Sequence, residues 1–188
     1  MMFGLEKGSF GYIKKKKARQ ALHILVLLVV AAVMFVTGLF IHEFDKANIC
    51  TVLAVLMLLP AVKTLVLLIV VFPYRSVSKE RYDVIKGSIS DNTILMTDMV
   101  ITSSEHVMNL DFVLVTDNQV LGLIGKKKQD VAYIEGYLKE TLENNKINGF
   151  TVKIFEEQKQ FEKCITDRAF EATDMQDECF RLIRTLVV

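Results

Sequence analysis

The chain has 188 residues, of which 52% are hydrophobic and 24% are charged, and its formal net charge is +1. Its mean hydropathy is positive, which is unusual for a soluble domain of this size and argues against an entirely soluble protein. The three cysteines fit a reduced compartment, and with the three histidines they form no CxxC pair and no spacing suited to zinc. The composition therefore predicts a membrane protein, and the spacing of these residues disfavours a zinc site.

Two long apolar runs dominate the N-terminal part of the chain. They cover residues 22–41 and residues 49–72, and a short polar segment at residues 42–48 separates them. At about 1.5 Å per residue, twenty helical residues span the roughly 30 Å hydrocarbon core of a bilayer. The first run is longer than the core of a cleavable signal peptide, and no small-x-small cleavage site follows it. The sequence therefore predicts a two-helix transmembrane hairpin over residues 21–73.

Basic residues flank the two runs and are scarce between them, where Lys46 stands next to Glu43 and Asp45. By the positive-inside rule, the basic N-terminus (residues 1–20) and the C-terminus are predicted to be cytoplasmic, in the cell (inner) membrane. The lysine run at residues 14–17 has two interpretations: a topology determinant alone, or also a contact for anionic lipid headgroups. The flanking basic residues are Lys7, Lys14, Lys15, Lys16, Lys17 and Arg19 before the first run, and Arg75, Lys79, Arg81 and Lys86 after the second.

Two residues interrupt the second run. Lys63 lies about nine residues from its C-terminal end, roughly 13 Å deep at helical rise, and Pro60 precedes it. A lysine at the bilayer centre costs about 2.5–3.5 kcal/mol on insertion scales and is therefore a candidate functional residue. Either Lys63 faces a water-filled centre between protomers or a partner's acidic residue, or the helix bends at Pro60 and the amine reaches headgroups of a thinned bilayer. Small residues that would allow close helix packing or homo-oligomers are Ala31, Ala32, Gly38, Ala54 and Ala61.

From residue 74 onward the pattern changes to that of a compact α/β domain, residues 74–188. Segments rich in β-branched residues predict strands, and apolar residues at helical spacing predict helices, with Asp130 as an N-cap. The predicted elements are a helix at residues 79–89, strands at 93–102, 107–116 and 119–126, a helix at 130–144, a strand at 150–155, and helices at 157–168 and 174–186. The predicted fold class is thus an α/β membrane protein: an N-terminal two-helix hairpin and a cytoplasmic αβββαβ-type domain with C-terminal helices.

The charge of this domain bears on its partners. It carries fifteen Lys and Arg against nineteen Asp and Glu, a net charge of −4. Because nucleic-acid binding usually needs a basic surface, the charge disfavours that partner. Lys126, Lys127 and Lys128 are a local exception at the end of the third predicted strand. They form either a solvated strand end or a patch that binds phosphate or another anion.

The order α-β-β-β-α-β resembles the core of the PD-(D/E)xK nuclease fold over residues 79–155. In nuclease-related members of that superfamily, an Asp lies early in the second strand, and the third strand carries Glu-x-Lys before a helix. By this resemblance, Asp111 in LDFVLV matches the metal-binding acid and Lys127 in VLGLIGKK matches the catalytic lysine. Gly125 fills the position of the middle acid, for which Glu80 on the first helix is a candidate replacement.

The missing acid decides between functions. Such nucleases use two carboxylates to hold the Mg²⁺ that activates water, so the expectation is a nuclease-like fold that is not an enzyme and needs no cofactor, with Asp111 as an outward strand acid. The predicted function is a membrane-anchored binding, scaffold or signalling module for a protein or small ligand. The alternatives are a tethered, Mg²⁺-dependent nuclease using Glu80, Asp111 and Lys127, and a ligand-gated membrane effector in which Lys63 perturbs the bilayer.

Overall fold

The computed structural model describes residues 6–41, 49–90, 93–116, 118–125, 128–166 and 175–188. Internal contacts divide the chain into two units. One unit is Lys15–Pro73, and the other combines Met1–Lys14 with Tyr74–Val188. The first holds most of two long apolar helices, and the second is a mixed α/β domain, so the α/β class and the two N-terminal helices are confirmed.

Helix α1 (Tyr12–Ile41) and helix α2 (Ile49–Val71) contain the two apolar runs. Helix α1 begins ten residues before the first run, so the lysine run is helical. The predicted loop at residues 42–48 lies outside the described residues. Both helices are long and apolar enough to cross a bilayer by length and composition, yet only 11% of the most apolar window of α1 and 17% of that of α2 is buried. Most of their apolar surface is therefore exposed.

A seam of buried and half-buried residues runs along both helices at heptad spacing. A period of 3.5 residues is typical of two helices packed in a left-handed pair. Lys17 Nζ donates to the carbonyl oxygen of Phe72 at 2.7 Å, which brings the start of α1 to the end of α2. Of the small residues expected at contacts, Ala32 is exposed and the other four are buried. The seam residues are Gln20, Ile24, Leu27, Ala31, Met34 and Gly38 on α1, and Ala54, Met57, Ala61, Thr64, Leu68 and Val71 on α2.

The α/β domain has the predicted element order α-β-β-β-α-β-α-α. Its four strands form one sheet in the order β1-β2-β3-β4, in which β3 and β4 are parallel and the other neighbours are antiparallel. Helix α4 supplies the crossover that the parallel pair requires. The elements are α3 (Lys79–Gly87), β1 (Ile94–Thr102), β2 (Val107–Val115), β3 (Gln119–Ile124), α4 (Val131–Asn144), β4 (Thr151–Phe155), α5 (Gln158–Thr166) and α6 (Gln176–Leu186).

Helices cover both faces of this sheet. One face packs against α4 and α6, whose buried residues include Leu138 and Ile183. The other face packs against α3 and α5, through Ile85 and Phe161 among others. Strands buried on both faces read as nearly continuous apolar runs, which is why a charged residue inside one of them is informative.

The N-terminal segment before α1 belongs to the α/β domain, although no pattern in that segment indicates this. The carbonyl oxygen of Gly8 accepts a hydrogen bond from Thr97 N in β1 at 2.8 Å. The rings of Phe10 and Tyr82 lie 4.7 Å apart, and Tyr12 is buried in the core on the α4 and α6 side. The sheet edge at β1 is therefore partly covered by residues that precede the first apolar run.

Asp130 is the N-cap of α4, as predicted. Its side chain accepts a hydrogen bond from Tyr133 N at 3.0 Å. We expect Asp130→Ala to lower the free energy of unfolding by about 1 kcal/mol, because one helix N–H loses its acceptor. Asp130→Ser, which keeps an acceptor oxygen, is expected to stay close to wild type. Pulse proteolysis in urea would measure both, and equal losses in the two variants would contradict the cap.

Candidate functional site

A bulge in β2 positions the acid singled out by the sequence. The pairing of β2 with β3 shifts register between Leu110 and Phe112, which leaves Asp111 as the extra residue. Leu110 packs on the α4 and α6 side of the sheet, whereas Phe112 packs on the α3 and α5 side. In a regular strand, residues two apart point to the same face. The bulge at Asp111 therefore turns Leu110 and Phe112 to opposite faces of the sheet. The Asp111 side chain is buried, with 7% of the residue exposed, so the expectation of an outward strand acid is wrong.

Gly125, directly after β3, leaves room for two side chains of β2. A Cβ atom at this position would lie 2.2 Å from Asn109 Oδ1 and 2.3 Å from Asp111 Oδ1. Real Cβ atoms do not approach other atoms so closely, so any larger residue must displace both side chains. Gly125 stands where the resemblance implies an acid. The observed placement of Asp111 requires a glycine at this position.

Arg81 neutralises Asp111 from the neighbouring helix. Its Nη1 lies 2.6 Å from Asp111 Oδ2, and its Nε donates to Gln158 Oε1 at 2.8 Å. The guanidinium also lies over the Phe112 ring, 5.5 Å from its centroid. Charge-assisted hydrogen bonds of this length are among the stronger polar contacts in proteins. One arginine therefore joins α3, β2 and α5.

An open cleft with a volume of about 480 Å³ lies beside this ion pair. Its walls are Arg81, Asp111, the end of β3 with Gly125, and residues 156–159 at the start of α5. It lies beyond the carboxyl ends of the parallel strands β3 and β4, a common location for ligands in α/β folds. The cleft is of a size that holds a small ligand, and Arg81 and Asp111 supply a donor and an acceptor in its wall.

Asp98 is a second buried acid, in the strand next to Asp111. Thr97 pairs with Phe112 and Met99 with Leu110, so Asp98 and Asp111 occupy the facing positions between these pairs. Asp98 is fully buried and has a φ of 56°, a left-handed conformation that Asp and Asn tolerate better than most residues other than glycine. Its Oδ1 accepts a hydrogen bond from Val77 N at 2.8 Å. Its Oδ2 has no hydrogen-bond partner among the described residues.

Burial raises the pKa of both acids above the ordinary value of 3.8. For Asp98, hydrogen bonds from the Val77 amide, the Ser76 hydroxyl and the Ile13 amide lower the pKa in part, and the charge of Asp111 raises it further. For Asp111, the hydrogen bond and charge of Arg81 oppose the rise. In both cases the folded protein binds a proton more tightly than the unfolded chain does.

These shifts predict that stability falls as the pH rises. Between pH 3.8 and the raised pKa values the folded state holds more protons than the unfolded state, so the free energy of unfolding decreases with pH in that window. Asp111→Asn removes one titrating group and is expected to flatten the profile. Urea midpoints measured at several pH values from about 4 to 7 would check this. A wild-type midpoint that rises with pH over the window would contradict the prediction.

The structure places two of the three residues that the resemblance grouped. Asp111 lines the cleft, but the α3 residue in contact with it is Arg81, while Glu80 is exposed in the first turn of the helix. Lys127 and Lys126 lie outside the described residues. Lys128 is exposed and has a φ of 75°.

Lys128 lines a smaller cleft of about 250 Å³. His106 and Tyr133 form part of its wall, with their rings 4.6 Å apart and edge to face. In the apolar unit, Lys63 and Pro60 are exposed and lie away from the seam, and the Pro60 carbonyl oxygen accepts a hydrogen bond from Thr64 Oγ1 at 2.9 Å.

Sequence reasoning missed Arg81, Asp98 and Gln158. Asp98 carried a signal, since it is an acid inside the otherwise apolar segment ILMTDMVIT. The sequence suggests only a topology-setting role for Arg81, and no local pattern indicates whether Glu80 or Arg81 faces Asp111. Among the described residues, no group of three or more His, Cys, Asp or Glu side chains could hold a metal ion. In comparisons with known proteins, no family model, no curated protein and no solved structure matches this chain.

Proposed function

We propose that this chain is an integral membrane protein in which the α1–α2 hairpin anchors a cytoplasmic α/β domain. The main evidence for the membrane anchor is the exposure of the two apolar helices, since over 80% of the most apolar window of each is unburied. Soluble monomers rarely expose contiguous apolar patches of more than a few hundred Å². A helix pair satisfies its own backbone hydrogen bonds, as a bilayer requires. A bilayer is the partner that covers such a surface without a further protein.

The α/β domain acts, in this proposal, as a binding or signalling module and not as an enzyme. The ion pair between Arg81 and Asp111 supports this, because the buried carboxylate already has a cation. A polar ligand in the cleft would exchange hydrogen bonds with Arg81 and Gln158, whose side chains lie at its wall. Nothing in this role requires a metal ion.

A tethered nuclease is the second candidate, and the position of Asp111 favours it. The resemblance implies a metal-binding acid in the second strand, and Asp111 is buried there beside an open cleft. A divalent ion would have to displace Arg81 from Asp111 Oδ2 and draw its second carboxylate from Glu80. That rearrangement would place the exposed Glu80 side chain where the Arg81 side chain now lies.

An activity assay separates the two candidates. The full chain in mild detergent, with Mg²⁺ or Mn²⁺, is tested on single- and double-stranded DNA and RNA beside Asp111→Ala and Lys127→Ala. The binding module predicts no cleavage above background from a protein whose circular dichroism shows it folded. Cleavage that both substitutions abolish would make the chain a nuclease and sink the proposal. Glu80→Gln, which removes the candidate replacement ligand, is the matched third variant.

A further inference from the structure

Both covalent connections between the α/β domain and the apolar helices meet at Asp98. Val77, which follows α2, donates its amide to Asp98 Oδ1 at 2.8 Å. The amide of Ile13, in the first turn of α1, and the hydroxyl of Ser76 also face the carboxylate as hydrogen-bond donors. Lys14 N donates to the Ser76 hydroxyl at 3.0 Å, which ties the two connections to each other. One buried carboxylate therefore holds both connections on the domain.

A second buried carboxylate lies on the neighbouring strand. Asp111 lies in the facing position on β2, and its charge acts unfavourably on Asp98. In the described part of the chain, the cation paired with Asp111 is Arg81, and Asp98 has no ion pair of its own. Two buried carboxylates thus depend on a single guanidinium, and burying a charge without compensation is strongly unfavourable.

We propose that Arg81, Asp111 and Asp98 form a charge relay through which the cleft controls the two connections. While Arg81 stays on Asp111, Asp98 accepts hydrogen bonds from the Val77 and Ile13 amides. A ligand that draws Arg81 into the cleft leaves two carboxylates without a cation. Asp98 must then move away from Asp111, because two buried carboxylates without a cation repel each other. That displacement breaks the hydrogen bonds from the Val77 and Ile13 amides and releases the connections.

That a ligand acts through the cleft rests on the proposed function. The placement of Arg81, Asp111 and Asp98 and their contacts does not. Arg81 is suited to be the moving part, because 36% of its side chain is exposed against 10% for Asp111. Asp98 is suited to be the responding part, because its Oδ2 has no hydrogen-bond partner among the described residues. A signal of this kind needs no change in the sheet core.

Amide hydrogen exchange of the full chain in detergent tests the relay without any ligand. Arg81→Gln removes the guanidinium, and we expect exchange in peptides covering residues 11–14 and 74–78 to accelerate by about tenfold or more. Lys79→Gln, which removes an exposed charge from the same helix, is the matched control and is expected to leave exchange unchanged. The double variant Arg81→Gln/Asp111→Asn removes the uncompensated carboxylate and is expected to restore the wild-type rate.

Two results would overturn the relay. Exchange that is unchanged in Arg81→Gln would show that the guanidinium does not act on the connections. Faster exchange that Asp111→Asn fails to reverse would show that Arg81 acts by packing on Gln158 and Phe112 instead of through charge. Peptides from α4 serve as the internal reference, since their exchange rises only if the whole domain loosens. None of these outcomes depends on whether the cleft binds a ligand. The relay and the proposed binding function can therefore be refuted independently of each other.

Discussion

Gly125→Ala is expected to destabilise the α/β domain by about 2–3 kcal/mol, at the upper end of what overpacking costs. The new methyl group would lie 2.2 Å from Asn109 Oδ1 and 2.3 Å from Asp111 Oδ1. Neither side chain can yield cheaply. Asn109 Nδ2 donates to the Met99 carbonyl oxygen at 3.2 Å, and Asp111 is bound to Arg81. The substitution therefore breaks at least one buried polar contact.

Two other glycines provide controls for this experiment. A Cβ at Gly122, inside β3, would meet Ile154 Cδ1 at 2.5 Å, the far end of a flexible side chain, so Gly122→Ala is expected to cost less. Gly136, inside α4, has open space around its Cβ position, and Gly136→Ala is expected to stabilise by about 0.5–1 kcal/mol through helix propensity. Pulse proteolysis in urea ranks the three. A Gly125→Ala variant as stable as wild type would refute this account of the site.

The same geometry predicts the outcome of restoring the missing acid. Glutamate at position 125 brings the Cβ clash and adds a third carboxylate beside Asp111. We expect Gly125→Glu to lose stability at least as much as Gly125→Ala and to gain no metal-dependent nuclease activity. Calorimetry with Mg²⁺ and Mn²⁺ would detect a restored site directly, and saturable binding by this variant alone would contradict the prediction.

Asp98→Ala is the second substitution with a large expected effect, about 2–4 kcal/mol. It leaves the buried Val77 amide without its acceptor, which costs about 1–3 kcal/mol. It also places alanine at a φ of 56°, a conformation that costs roughly a further 1 kcal/mol. Asp98→Asn keeps an acceptor oxygen, tolerates that backbone and removes a buried charge, so we expect it to stay within about 1 kcal/mol of wild type.

Asp98→Gly separates the two contributions at this position. Glycine adopts positive φ freely, so its loss of stability reports the missing acceptor without backbone strain. The expected order of stability is wild type and Asn, then Gly, then Ala. Urea midpoints of the four proteins give that order. If alanine proved as stable as asparagine, the hydrogen bond to Val77 would contribute nothing and Asp98 would not hold the connections.

The strands and helices of the α/β domain followed closely from the sequence because their patterns are local. Val131, Ile134, Leu138 and Leu142 recur at helical spacing, and Asp130 stands where a cap is needed. The strands are bounded by polar turns, and most predicted ends lie within two residues of the observed ones. Such signals depend on neighbours in the chain and survive without knowledge of the tertiary fold.

The site itself depends on contacts between distant residues, which the sequence does not encode locally. Glu80 and Arg81 are adjacent in the chain, and only the rotation of α3 against the sheet decides which of them meets Asp111. The bulge at Asp111 changes which face of the sheet the β2 residues occupy, and the alternation of polar and apolar residues in the sequence does not indicate it. The docking of Gly8 on Thr97 joins residues almost ninety positions apart.

Membrane integration is the claim on which the proposed function depends most. The full chain is expressed, membranes are collected, and they are washed with alkaline carbonate, which releases peripheral proteins and retains those that span the bilayer. We predict that the chain stays in the pellet, because two helices of 30 and 23 residues expose their apolar surfaces. Quantitative release into the supernatant would contradict the anchor, and the apolar faces of α1 and α2 would then need a protein partner.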